Sequence, residues 1–305
     1  MPDRPIVVVG GPALDMEARV PYFPAVDGNV VATALSRHPG GVGANIAVGL
    51  ARLGNPVILL GATGDDDTGA FLRDKLAQAG VDVAAMLIRP NTPTHSCFIA
   101  ITPDGERVIY GLPGASSLET SGEINRDVIR AASTLHIGPA YREVALAAIA
   151  TARESGVGVS YSPADVRWPE GAQAVLDIAR RVDVWIINRI EAAALTGLKG
   201  PESALRQLLA WGYGPLILTC GADGVLIGNA GNITALPAYP APTVQNTTGA
   251  GDAFTAGVIT GLGMRLPIEQ AARLGMAVAA LKLRQSGAQA GLPTLEEALH
   301  LMRKT

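Results

Sequence analysis

The chain has 305 residues, 48% of them hydrophobic and 17% charged, with a net charge of −3 and a pI near 5.8. That size and apolar content allow one large α/β domain with a sizeable core, and exclude a disordered chain or a basic nucleic-acid-binding tail. No apolar run reaches the roughly 20 residues needed to cross a bilayer, and the widely separated Cys97 and Cys220 read as buried thiols of a reducing, cytoplasmic protein.

Ile6–Val9 is a first buried strand that ends in the turn Gly10-Gly11 and is too short for a signal-peptide core. The apolar runs Val57–Leu60, Thr134–Ile137, Val157–Ser160, Val184–Ile187 and Leu216–Thr219 suit strands buried on both faces. Between them, Ile46, Leu50 and Leu53 repeat at helical spacing and are closed by Gly54. Further helices are expected near Thr68–Gln78, Arg142–Arg153, Ser203–Trp211 and Ile268–Leu283. The alternation predicts a mainly parallel sheet with helices on both faces. Two segments, about 14–36 and 92–112, break the pattern with short β-like pieces and turns such as Pro103-Asp104-Gly105. They form either a small β lid or two ordinary surface hairpins.

Chemistry-bearing residues follow in chain order. Asp15, after Gly10-Gly11, carries a carboxylate that can accept two sugar O–H bonds, or can stabilise its own turn. In Pro39-Gly40-Gly41-Val42-Gly43-Ala44-Asn45 the glycines permit close backbone approach, and Asn45, inside the helical pattern, offers a donor and an acceptor to one hydroxyl. Asp65, Asp66 and Asp67 diverge in direction, so Asp66 or Asp67 caps the next helix rather than holding a metal. Asn188 and Glu191 share a helix face, as a capping box also would. His38, His95, His136 and His300 fall in no ligand spacing and read as structural.

The densest signal is Asn246-Thr247-Thr248-Gly249-Ala250-Gly251-Asp252-Ala253-Phe254, followed by Val258, Ile259 and Leu262 at helical spacing. Gly249, Ala250 and Gly251 then form the turn that opens a helix. Its first free N–H groups, those of Ala250 and Gly251, can hold a phosphate with help from the helix dipole. A carboxylate at Asp252 cannot bind that phosphate, but can orient a hydroxyl that attacks it. The helix N-terminus should keep Asp252 ionised at neutral pH. Plain loop-to-helix packing with Asp as a cap would leave a similar tripeptide.

These pieces, in this order, resemble the ribokinase-like (PfkB) carbohydrate kinase family, whose second signature is usually Asp-Thr-Thr-Gly-Ala-Gly-Asp. The resemblance implies a three-layer α/β fold with a β lid, formed here by about 14–36 and 92–112 in a single domain spanning 1–305. It implies an ATP- and Mg²⁺-dependent kinase acting on a primary hydroxyl of a sugar or nucleoside. Asp15, Gly40, Gly41 and Asn45 would bind the acceptor, and Asp252 would be the base. Asn188, Thr219, Gly221, Gly224, Thr248, Gly249 and Gly251 would contact the nucleotide, with Asn188 and Glu191, through water, ordering Mg²⁺. The segment Arg284-Gln-Ser286-Gly287-Ala288 resembles a loop that closes the adenine pocket and helps hold a monovalent cation. Asn246 replaces the family's cation-binding Asp, which puts K⁺ activation in doubt, and Ser162-Pro163-Ala164-Asp165 departs from the usual Asp-Pro. Asn246 and Gly-Gly-Val-Gly-x-Asn-Ile-Ala are also similar to pseudouridine kinases. The lid would offer a surface for a homodimer, and neither nucleic acid nor membrane is an expected partner. A non-catalytic sugar-binding relative is disfavoured because Asp252 and both glycines remain. A Rossmann-type enzyme is disfavoured because Gly-x-Gly-x-x-Gly is missing.

Overall fold

Ile6–Val9 is buried throughout and divides by parity, with Ile6 and Val8 in one core cluster and Val7 and Val9 in another. A strand with helices on both faces requires this, because successive side chains point to opposite sides. The computed structural model describes residues 4–163, 170–229, 231–241, 244–245, 247–285 and 287–304. Of the positions singled out above, Ala164, Asp165, Asn246 and Ser286 lie outside the described residues.

The chain runs through β1 (Ile6–Val9), β2 (Ala13–Arg19), β3 (Ala34–Gly40), α1 (Val42–Arg52), β4 (Val57–Leu60), β5 (Ala62–Gly64) and α2 (Asp67–Gln78). Next come β6 (Val81–Asp82), β7 (Leu87–Arg89), β8 (Ser96–Ile101), β9 (Arg107–Leu112), α3 (Arg126–Ala131) and β10 (Thr134–Ile137). They are followed by α4 (Arg142–Glu154), β11 (Gly158–Tyr161), α5 (Ala172–Ala179), β12 (Val184–Asn188), α6 (Arg189–Thr196) and α7 (Pro201–Ala210). The last elements are β13 (Leu216–Thr219), β14 (Val225–Asn229), β15 (Asn232–Leu236), α8 (Ala250–Gly263), α9 (Ile268–Lys282) and α10 (Leu295–Lys304).

The main sheet has the order β15-β14-β13-β12-β11-β10-β1-β4-β6. Its pairs are parallel from β6 to β13, and only β14 pairs antiparallel with its neighbours. The chain starts in the middle at β1, winds outward through β4 and β6, then returns to β10 and winds the other way. Such a reversal opens a crevice at the carboxyl ends of the strands, here between β1 and β10.

The two off-pattern segments pair with each other in a separate sheet of order β3-β2-β8-β9. Asp15 stands opposite His38 on one side and Cys97 on the other. The second strand runs on to Gly40, beyond the expected limit near 36, because it leads directly into α1. That helix begins at Val42, four residues before the first apolar residue of its pattern. Gly41 caps it with φ 90, and a Cβ on Gly43 would come within 2.7 Å of the Gly10 Cα. Only glycine allows that approach, which sets Asn45 one turn inside α1, over the end of β1. Asp66, not Asp67, caps α2, accepting from Gly69 N at 2.8 Å and tying the helix to Thr94 N at 3.0 Å.

Candidate active site

At the crevice the carboxyl edge of the main sheet faces the four-stranded sheet across a cavity of about 940 Å³. Its walls include Asp15, Gly41, Asn45, Asn188, Thr248, Gly249 and Asp252, drawn from four separate stretches of sequence. The turn before α8 has the expected form: Gly249 is the N-cap in a left-handed conformation with φ 78, and the helix begins at Ala250. A Cβ on Gly249 would lie 2.5 Å from the Ala288 carbonyl oxygen, so the loop after α9 packs directly on this turn.

The first-turn donors differ from the expected pair. Ala250 N–H folds back to the Thr247 carbonyl at 3.2 Å, and Ala253 N–H donates to Gly249 O at 2.9 Å. Among the described residues, the N–H groups of Gly251 and Asp252 have no backbone acceptor. These two, rather than Ala250 and Gly251, are the donors a helix start offers to an anion.

Asp252 is half-buried beside them. Asn45 Nδ2 donates to its Oδ2 at 2.8 Å, and Gln289 Nε2 donates to Asn45 Oδ1 at 3.0 Å. One donor and one acceptor site of Asn45 are engaged in this way, and its second Nδ2 proton and second Oδ1 lone pair remain in its inventory on the cavity wall. Burial pushes the Asp252 carboxyl up to about 6, against the Asn45 hydrogen bond and the Lys282 charge, with Asp15 adding to the rise. Desolvation outweighs the groups that favour the charged form, so the carboxyl lies above its ordinary value. Asp252 is still mostly ionised at neutral pH. Asp15 is likewise raised to about 6 by burial and Glu17, with His38 opposing. Gly40 makes room for it, since a Cβ there would meet Asp15 Oδ2 at 2.3 Å.

On the far side, Asn188 ends β12 and caps α6. Its Oδ1 accepts from Ile190 N and Glu191 N at 2.8 and 2.9 Å, and Glu191 Oε2 accepts from Asn188 N at 2.8 Å. The capping box is thus formed, and Glu191 is buried within it. Thr219 sits beside Asn188 in register, and Gly221 and Gly224 follow in the turn after β13. These three, with Gly40, Glu191 and Gly251, do not line the cavity.

Four residues at the site escaped the sequence reading. His95 and Cys97 line the cavity beside Asp15, so His95 is not a core histidine and Cys97 is only half-buried. They alternate along an ordinary strand pattern and carry no motif. Gln289 and Lys282 flank the loop after α9, and Lys282 had a usable signal as a lone charge in the apolar run 275–283. By contrast, His136 is fully buried between Ser160 and Ser162, and burial pushes its imidazole down to about 3.

Comparison with known proteins gives the site its setting. The description pfkB family carbohydrate kinase matches residues 4–295. Fructokinase-1 of Oryza sativa subsp. japonica is 30% identical over 94% of this chain and 95% of its own. A crystal structure of ribokinase from Thermotoga maritima superposes with a TM-score of 0.87 at 26% identity, covering 98% of this chain and 99% of that one. Arabidopsis thaliana ribokinase complexed with ribose and ATP gives the same TM-score at 22% identity over 98% and 99%. A chain with this fold, this crevice and a match over nearly its whole length belongs to the pfkB family of carbohydrate kinases.

Proposed function

We propose that the protein transfers the γ-phosphoryl group of ATP to a primary hydroxyl of a free sugar, with Asp252 as the base. The observation that carries this reading is Asp252 at the start of α8, held by Asn45 at 2.8 Å beside the N–H groups of Gly251 and Asp252 itself. The hydroxyl oxygen attacks phosphorus as the bond to the β-phosphate bridging oxygen breaks, and its proton passes to Asp252 Oδ. Phosphoryl transfer needs positioning and charge stabilisation more than strong deprotonation, so a carboxylate near 6 suffices. Asp15 would hold acceptor hydroxyls from the four-stranded sheet, which would close over them as a lid. Thr219, Gly221 and Gly224 would receive the nucleotide beyond Asn188.

Mg²⁺ prefers few protein ligands, several waters and substrate phosphates, and Asn188 on the cavity wall with Glu191 behind it in the capping box supports a water-mediated site. Glu191 and Asn188 would hold it through water, and the ion would neutralise charge on the phosphate oxygens. Among the described residues there is no cluster of three His, Cys, Asp or Glu side chains able to cage a metal. Exposed Leu35 and Tyr110 on the four-stranded sheet support a second copy of this chain as its partner.

The test is ADP release with ribose, fructose, 2-keto-3-deoxygluconate, adenosine, uridine and pseudouridine. Turnover of a free sugar is expected, in keeping with relatives named fructokinase and ribokinase. Turnover confined to nucleosides would replace the free-sugar reading with that of a nucleoside kinase, and no turnover with any acceptor would remove both.

A further inference from the structure

Lys282 is the last residue of α9, and its side chain is 0% exposed. Removing an ammonium from water costs several kcal/mol, so a lysine held this way needs compensation. Its Nζ donates to the carbonyl oxygen of Thr248, the residue just before the Gly249 cap of α8. A cation near a helix N-terminus is electrostatically unfavourable for the helix itself. The ammonium suits the C-terminus of α9 as much as it opposes the N-terminus of α8, so the two dipoles offset and the acceptors decide the placement. The Thr248 carbonyl points to the ammonium, and Asp252 lies within reach of its charge. Burial lowers the Lys282 pKa while Asp252 raises it. The groups that act on Asp252 are Lys282 from α9, Asp15 from β2 and the neutral Asn45 from α1.

We infer that Lys282 is a positioning residue whose ammonium serves as a tethered monovalent cation. It fixes the 247–251 turn through the Thr248 carbonyl and balances the charge of Asp252, so the turn needs no ion from solution. The resemblance implied a dissolved cation near residues 246 and 284–288. Here the Thr248 carbonyl already receives a protein ammonium. The same charge would favour a phosphoryl group arriving at the turn, because a fixed cation in a low-dielectric site needs no reorganisation.

The first test needs no catalysis and so stands apart from the kinase reading. Melting temperatures are compared in KCl, NaCl and choline chloride at equal ionic strength. Wild type should melt alike in all three, whereas Lys282→Ala, which empties the ammonium's position, should melt higher in KCl than in choline chloride. The second test rests on the proposed function. Lys282→Met keeps volume and removes charge, and should lower kcat by about 10²-fold with acceptor KM little changed. The acid limb of its pH profile should move upward, because Asp252 loses a neighbouring positive charge. Methylammonium should restore part of the activity of Lys282→Ala. A wild-type enzyme that needs K⁺ for stability or turnover would overturn the inference. So would a Lys282→Met enzyme with wild-type kcat and an unmoved acid limb, or a Lys282→Ala melting temperature indifferent to small cations. If no acceptor is turned over, the melting comparison still decides the role of Lys282.

Discussion

In the proposed reaction one carboxylate, Asp252, takes the proton, and burial makes it a stronger base than an exposed aspartate. Asp252→Asn keeps size and the Asn45 contact but cannot take a proton. Its kcat should fall at least ~10²-fold, in the range usual for loss of a general base, with substrate affinities little changed. Retained turnover at wild-type stability would remove Asp252 from that role. The wild-type rate should fall on the acid side, halving near pH 6 as Asp252 protonates. The same residue bears on stability. Asp15 and Asp252 titrate near 6 in the fold against an ordinary 3.8, so the native state keeps protons that the unfolded chain releases. Stability should therefore decline as pH rises from about 4 to about 6, opposite to the usual salt-bridged carboxylate.

At the scale of elements, two helix starts do different work. The start of α8 contains two glycines with opposite surroundings. Gly249 has φ 78 and the Ala288 carbonyl 2.5 Å from its notional Cβ, whereas nothing lies within 4 Å of a Cβ on Gly251. Gly249→Ala should lose at least about 1 kcal/mol of stability from the left-handed backbone alone, and more from the clash. Gly251→Ala should fold as well as wild type or slightly better, gaining up to about 1 kcal/mol of helix propensity. It should nevertheless raise the KM for ATP, because a methyl beside the Gly251 N–H would crowd the phosphate that this donor is proposed to hold. Equal ATP kinetics in Gly251→Ala and wild type would move the phosphates elsewhere. At α6 the start is a capping box, and Glu191→Gln preserves an acceptor for Asn188 N. That variant should keep its melting temperature and need more Mg²⁺ for half-maximal rate. An unchanged Mg²⁺ dependence would leave Glu191 a capping residue alone.

Across the whole molecule, legibility followed the range of the interactions. The strands of the parallel sheet were readable because burial on both faces imposes continuous apolar runs, as in Ile6–Val9 and Leu216–Thr219. Val157–Ser160 slid by one residue to Gly158–Tyr161, and Val225–Asn229 and Asn232–Leu236 were missed, the latter an edge strand too exposed to show that continuity. The Gly249–Asp252 turn was legible as a local motif. The Gln289–Asn45–Asp252 chain was not, since it joins residues 244 and 207 positions apart. The union of the two off-pattern segments in one small sheet was expected, whereas the parallel pairing of β2 with β8 that makes it was not specified by either segment. That union leads to a property of the whole chain. Asp15, His95 and Cys97 reach the cavity from the four-stranded sheet, and Asp252 and Asn188 reach it from the main sheet side, so an acceptor must bridge two bodies of structure. If the smaller sheet is a lid, binding a sugar with a nonhydrolysable ATP analogue should slow amide exchange in 13–19, 34–40 and 96–112. Exchange in β1, β10 and β12 should barely change, because those strands are already buried in the core. Protection spread evenly over both sheets, or confined to α8, would show a preformed rigid site and dismiss the lid.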